Sequence, residues 1–273
     1  MNGNSVKTIK LAKHFINKKD DSIHVLKDIS IDIERGSFVS IMGPSGCGKS
    51  VLLKILGGIL QPTSGTIILG DDCYDNGIPG SALKKIGFVF QKDNLQPWRS
   101  VEKNLMLPIE VFKLKHSMHP GRVDELLGTV GLLNYKKALP HELSGGMRQR
   151  VSLARALMHD PDIVLLDQPF GALDAITRKM LAYEFLAIWK KTKKTFFMVT
   201  NDVDEAILLS SKVYIMSKMP GEIENEIVID IPYDIRNQQI ITNNRYKELK
   251  SQITSLTSSL TLADERREAN CEN

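Results

Sequence analysis

The sequence predicts an α/β fold with a largely parallel sheet, interrupted by a helical insert. Three observations carry this. Short apolar, strand-like runs alternate with helical stretches on both sides of the middle third. Strand signals vanish between about residues 98 and 160. A glycine-rich loop, Gly43-Pro44-Ser45-Gly46-Cys47-Gly48-Lys49-Ser50, stands between an apolar run and a helical one, matching G-x-x-x-x-G-K-[ST].

The elements follow in order. Residues 37–42 form a buried strand after the turn at Arg35-Gly36, and residues 49–59 a helix. Strand-like runs recur at 66–69 and 87–90. Within the insert, residues 101–111, 122–132 and 145–159 are helical, with Pro97, Pro108, Pro120 and Pro140 as breaks. Alternation then resumes: strand 162–167, helix 175–191, strand 195–200, helix 202–211, strand 212–217. Residues 5–220 are read as one nucleotide-binding domain and 221–273 as a tail. In the tail, Leu249, Ile253, Leu256 and Leu260 recur at helical spacing. That amphipathic helix packs on the core or offers a partner surface. The last ten residues are polar, and fraying is expected there.

Composition narrows the function classes. The formal charge is +4 over 273 residues, with lysines scattered among acids, and so argues for no nucleic-acid partner. Cys47, Cys73 and Cys271 lack metal-ligand spacing and fit reduced thiols. Residues 1–10 are polar, without an apolar signal core. No stretch approaches the roughly 18 apolar residues of a membrane span, so any membrane role is peripheral.

The chemistry sits in a few short segments. The glycines of the loop let backbone N–H groups turn inward around phosphates, and the helix start adds its partial positive charge. Lys49 would reach the β- and γ-phosphates of ATP, and the Ser50 hydroxyl would ligate Mg²⁺. Cys47 reads as a tolerated small residue of the loop. Asp167 ends a fully apolar strand, Ile163-Val164-Leu165-Leu166-Asp167, and would hold Mg²⁺ through water. In Leu143-Ser144-Gly145-Gly146-Met147-Arg148-Gln149-Arg150, Ser144 can cap the following helix and leave N–H groups free for a phosphate.

With these motifs, and with Gln91 after Phe88-Val89-Phe90 and Gly171-Ala172-Leu173-Asp174 beyond Asp167, the chain resembles the ATP-binding subunits of ABC transporters over roughly residues 5–220. The resemblance implies an α/β P-loop NTPase core of the ABC-type ATPase kind, with a small antiparallel β region and a helical signature subdomain. It implies head-to-tail pairing of two such subunits, identical or different. Each ATP then lies between the phosphate loop of one and Ser144, Gly145 and Gly146 of the other. Gln91 would contact Mg²⁺ and the catalytic centre and link the nucleotide to a transmembrane permease. Asp174 would cross the dimer interface, and Phe15 would stack on adenine or serve as a core aromatic.

Gln96-Pro97-Trp98-Arg99-Ser100-Val101-Glu102-Lys103-Asn104-Leu105 and Gln168-Pro169-Phe170-Gly171 look like the nitrate/sulfonate/taurine importer branch. Trp98 has a second reading, as a filler of a pocket in the insert. The branch implies a place at the cytoplasmic face of the membrane and a solute-binding protein in the complex. A non-transport ABC module switched by ATP binding is the alternative. A DNA-associated ABC ATPase would need a long coiled-coil insertion, and residues 91–143 are too few.

Two residues depart from the family. Gln168 stands where glutamate orients and deprotonates the attacking water. Asn201, in Thr200-Asn201-Asp202, stands where histidine contacts the γ-phosphate. An amide can hold water or phosphate but cannot take the proton near pH 7, nor become a cation. ATP binding without efficient turnover is therefore expected. A degenerate half of a heterodimer, a slow homodimer and a deliberately trapped variant all fit the pair.

Overall fold

The structure, a computed structural model, describes residues 4–16, 21–114 and 121–271. Its principal sheet has six strands: β4 (Phe38–Met42), β7 (Ile86–Val89), β8 (Ile163–Asp167), β9 (Thr195–Val199), β10 (Lys212–Met216) and β11 (Ile223–Val228). In space they lie in the order β11-β10-β4-β9-β8-β7. All but β11 run parallel; β11, on the edge, is antiparallel. β4 and β9 are buried at every residue, as apolar runs covered on both faces must be.

Parallel strands place their carboxyl ends on one edge, where ligands of open α/β sheets bind. The phosphate loop leaves β4, Gln91 follows β7, Asp167 ends β8, and Asn201 follows β9. Four segments far apart in sequence thus converge on that edge.

A second sheet is antiparallel. It pairs β2 (Ser22–Ile29), β1 (Asn4–Ile16), β5 (Ser64–Leu69) and β6 (Asp72–Tyr74) in that order, with β3 (Asp32–Glu34) beside β1. Residues 4–34 carry three strands that the sequence reading left unassigned. Their apolar residues are interleaved with Lys, His and Asp, which blurs the period-two pattern.

The insert contains α2 (Val101–Val111), α3 (Arg122–Thr129) and α4 (Gly145–Leu157). Val101, Leu105 and Ile109 of α2 share one core with Val151 and Leu153 of α4. Pro108 lies inside α2 and does not break it. An interior proline costs about 3 kcal/mol, which burial of those three side chains offsets at roughly 1.5–3 kcal/mol each. Pro140 opens a short 3₁₀ turn, Pro140–Glu142. Pro120 lies outside the described residues.

α1 (Lys49–Leu56) stops short of residue 59 because Gly57 and Gly58 follow, Gly58 at φ +67°. α3 likewise ends early, ahead of Gly131 at φ +68°. α5 (Ala175–Thr192) and α6 (Val203–Leu209) flank β9 in sequence.

The tail packs on the core. Within α7 (Asn244–Cys271), Tyr246, Leu249 and Ile253 are buried against Met42, Ile207 and Ile215, with Leu256 and Leu260 partly covered. The helical backbone runs to Cys271, past the fraying expected over the last ten residues; Leu262, Ala263, Glu265, Arg266 and Arg267 are good helix formers. Leu249 is 0% exposed. Leu249→Ala is expected to cost about 2–5 kcal/mol in urea unfolding, by the cavity it leaves.

Candidate functional site

The phosphate loop is shaped by its glycines. Gly48, at φ +101°, opens α1; a Cβ there would stand 2.7 Å from Leu26 Cδ2. Gly46, at φ +80°, has open space around it, so its requirement is conformational. Lys49 is buried and folds onto its own loop. Its ammonium donates to the carbonyls of Gly43 and Pro44, each at 2.7 Å. Cys47 is also buried, its Sγ 3.5 Å from that ammonium, and packs in the core beneath the loop.

Ser50 Oγ donates to Asp167 Oδ1 at 3.2 Å. Burial raises the Asp167 carboxyl, against the hydrogen bond from Ser50 and the charges of Lys54 and Lys49. A hydroxyl and a half-buried carboxylate in contact form an oxygen donor set suited to a hard cation. Ser50 and Asp167 therefore fit Mg²⁺, and a cation there would favour the ionised carboxylate that burial disfavours.

Gln168 adopts a left-handed backbone, φ +44°, unusual for a residue with a side chain. Its N–H donates to Val199 O at 3.0 Å, fixing the turn after β8 against the end of β9. Its Oε1 accepts from Gln91 Nε2 at 3.3 Å. Asn201 is exposed. Gln168 and Asn201 line one cavity of about 350 Å³ with Ser45, Gly46, Gly48, Lys49 and Ser50. Cys47, Val51, Val25 and Met219 complete its wall; no sequence motif marks Val25 or Met219. Phe15 is not among the lining residues; it lies on β1 opposite Ile23, its ring 4.9 Å from the Lys13 ammonium.

The signature segment occupies a separate face. Ser144 caps α4, accepting from Met147 N at 3.3 Å, and Gly145 and Gly146 follow in the first turn. A cavity beside it is lined by Gln91, Asp93, Gly145, Arg148 and Leu173. Three side chains of α4 grip the segment after β7. Gln149 donates to Gln91 O, Arg148 to Asp93 Oδ2, and Arg155 to the carbonyls of Asp93 and Asn94. Asp174 caps α5, accepting from Thr177 N at 3.0 Å, and that backbone bond holds its carboxyl below the usual range.

Trp98 does not fill a pocket; it is 75% exposed. Its loop is held by buried Asn104, which accepts from Gln96 N and donates to the carbonyls of Gln96, Arg99 and Ser100.

Sequence reasoning overlooked Thr200, Arg178 and Glu205. Asp202 followed three residues later by Glu205 reads as a helix cap, and Asp202 does accept from the N–H groups of Asp204 and Glu205. Glu205 itself turns inward, is buried, and accepts from the Thr200 hydroxyl.

The profile of the ABC transporter family matches residues 26–171. The aliphatic sulfonates import ATP-binding protein SsuB of Bacillus thuringiensis subsp. konkukian is 41% identical, covering 89% of this chain and 92% of its own. The taurine import ATP-binding protein TauB of Jannaschia sp. is 39% identical, covering 86% and 87%. Among solved structures, the dimeric post-hydrolysis state of the ATP-binding cassette MJ0796 bound to ADP and Pi aligns with TM-score 0.69 at 33% identity. It covers 83% of this chain and all of that one. The structure of cbiO1 from Clostridium perfringens, part of the ABC transporter complex cbiONQ, aligns at 0.73 with 26% identity, covering 92% and 99%. With the phosphate loop, the Asp167 strand and the Ser144 helix cap in place, this chain belongs to the ATP-binding proteins of the ABC transporter family.

Proposed function

We propose that the chain is the ATP-binding subunit of an ABC importer, peripheral at the cytoplasmic face of a membrane, whose own site binds MgATP and hydrolyses it slowly. The carrying observation is that Gln168 and Asn201, both neutral amides, line the same cavity as Lys49 and Ser50. No helix among the described residues is long and apolar enough to cross a membrane, so a permease would supply the passage. The names of SsuB and TauB support a small sulfonate as cargo, met by the permease and a solute-binding protein.

In this reading Lys49 exchanges the carbonyls of Gly43 and Pro44 for phosphate oxygens. The N–H groups from Gly46 to Ser50 surround the phosphates. Ser50, Asp167 and Gln91 would hold Mg²⁺, which neutralises charge on the β- and γ-oxygens when bound. Gln168 positions water without taking its proton, and Asn201 gives the γ-phosphate one hydrogen bond. A second ATPase subunit, the same or different, contributes its Ser144-type cap across the nucleotide. Closure of the pair drives the permease.

The binding half of the proposal is tested by titrating the purified chain with ATP and Mg²⁺, beside Lys49→Ala. Charge-assisted hydrogen bonds contribute about 1.5–3 kcal/mol, so affinity is expected to fall roughly 10- to 100-fold in the variant. Absence of ATP binding by the native chain contradicts the proposal.

A further inference from the structure

Gln168 and Asn201 border a second cavity. It has about 260 Å³ and is walled further by Gly171, Thr200, Arg178, Asp202 and Glu205. A space of this size with polar walls holds water. We propose that Glu205 takes the proton of the attacking water in the turnover that this site retains. The inference rests on the slow hydrolytic reading above and names the base that reading lacks.

The neighbouring carboxylates are less suited. Asp202 Oδ1 already accepts from two backbone N–H groups, and its Oδ2 faces Arg178 Nη1 at 3.5 Å. Asp167 is engaged with Ser50. Glu205 is freer. Its Oε2 accepts from Thr200, while its Oε1 stands 3.9 Å from Arg178 Nε, beyond hydrogen-bond distance. That Arg178 Nε is buried without a hydrogen-bond partner, a donor that a cavity water would satisfy.

Thr200 directly precedes Asn201, and its Oγ also accepts from Asp202 N at 3.1 Å. The carboxyl and the phosphate-facing amide therefore share one rigid turn. Burial pushes the Glu205 carboxyl up to about 7, the Asp202 and Asp204 charges adding to it, against the Thr200 hydrogen bond and the Arg178 charge. A base near the working pH is the efficient kind.

The groups facing Glu205 are Arg178, Lys179 and Tyr183 from α5, Asp202 capping its own helix and Asp204 within it. From α7, Tyr246 and Lys250 both hold Asp204.

The step balances. The water oxygen bonds to the γ-phosphorus. The bond from phosphorus to the bridging oxygen breaks, and its electron pair stays on ADP. The water's proton passes through a cavity water to Glu205, which later releases it to solvent.

The test compares initial ATPase rates from pH 5.5 to 9 for the native chain, Glu205→Gln, Gln168→Glu/Asn201→His, and the triple variant. Glutamine keeps the Thr200 hydrogen bond and buries no charge, so melting temperature and ATP affinity check that the variant is intact. The native rate is expected to rise tenfold per pH unit at low pH and level off above about 7. Glu205→Gln is expected to remove that limb and lower the plateau at least tenfold. In the Gln168→Glu/Asn201→His background, where the carboxylate introduced at position 168 accepts the proton, the same substitution is expected to cost at least fivefold less. Equal losses in both backgrounds mean a structural role and overturn the proposal. So does a native rate no higher than that of a Lys49→Ala control at every pH, an outcome that removes slow hydrolysis as well and leaves only ATP binding. A Gln168→Glu/Asn201→His variant no faster than native overturns the impaired-site reading instead.

Discussion

Gln168→Glu/Asn201→His is expected to hydrolyse ATP on the order of 10²–10⁴ times faster than the native chain. A carboxylate at position 168 would sit where the Gln168 amide now accepts from Gln91. It would border the cavity shared with Lys49 and Ser50 and could take a proton there. Histidine at 201 adds a group able to become a cation beside the γ-phosphate. The two gains need not multiply, because groups acting on one water behave as a unit. Gln168→Glu alone is expected to recover most of the effect, since the amide at 201 still donates one hydrogen bond. Steady-state phosphate release at saturating MgATP reads this. Equal rates for all three chains would mean that the native site already has an efficient base.

Arg236→Ala is expected to destabilise the fold by on the order of 3 kcal/mol or more. The buried guanidinium donates to five carbonyls. Ile207, Leu208 and Ser210 end α6, and Ile229 and Ile231 lead out of β11. Its Cζ lies 3.9 Å from the Tyr233 ring centroid. Burial lowers the Arg236 pKa, yet guanidinium stays charged at any working pH. Removing it leaves the last carbonyls of α6 unpaired inside the protein. Lysine is expected to recover less than half, having three donors and no planar fork. Urea unfolding of the two variants is the measurement. A loss below about 0.5 kcal/mol for Arg236→Ala would show that water replaces the clamp without cost.

The candidate site was legible where its motifs are contiguous. The phosphate loop, the Ser144 cap and Asp167 are each a short string tied to a strand end or helix start, and folding needs only to bring strand ends together. α2 was placed at its observed bounds because Val101, Leu105 and Ile109 show helical spacing. The antiparallel layer was harder: β1 alternates poorly and bends at irregular registers around residues 11–14. Arg236 and Glu205 were invisible for another reason. Each is a charged residue in a polar stretch, where exposure is the usual outcome. Only the three-dimensional arrangement supplies the carbonyls around Arg236, or the Thr200 hydroxyl and Arg178 beside Glu205. Of the two readings of Trp98, the pocket filler does not hold: the side chain stands in solvent, on a loop that buried Asn104 holds in shape.

Binding without efficient turnover can be read from the chemical identity of the bound nucleotide. The native chain is mixed with ATP and Mg²⁺, held for many turnover times of Gln168→Glu/Asn201→His, and separated rapidly from free nucleotide. The nucleotide recovered from the native chain is expected to be mostly intact ATP. Recovery of mostly ADP would contradict it.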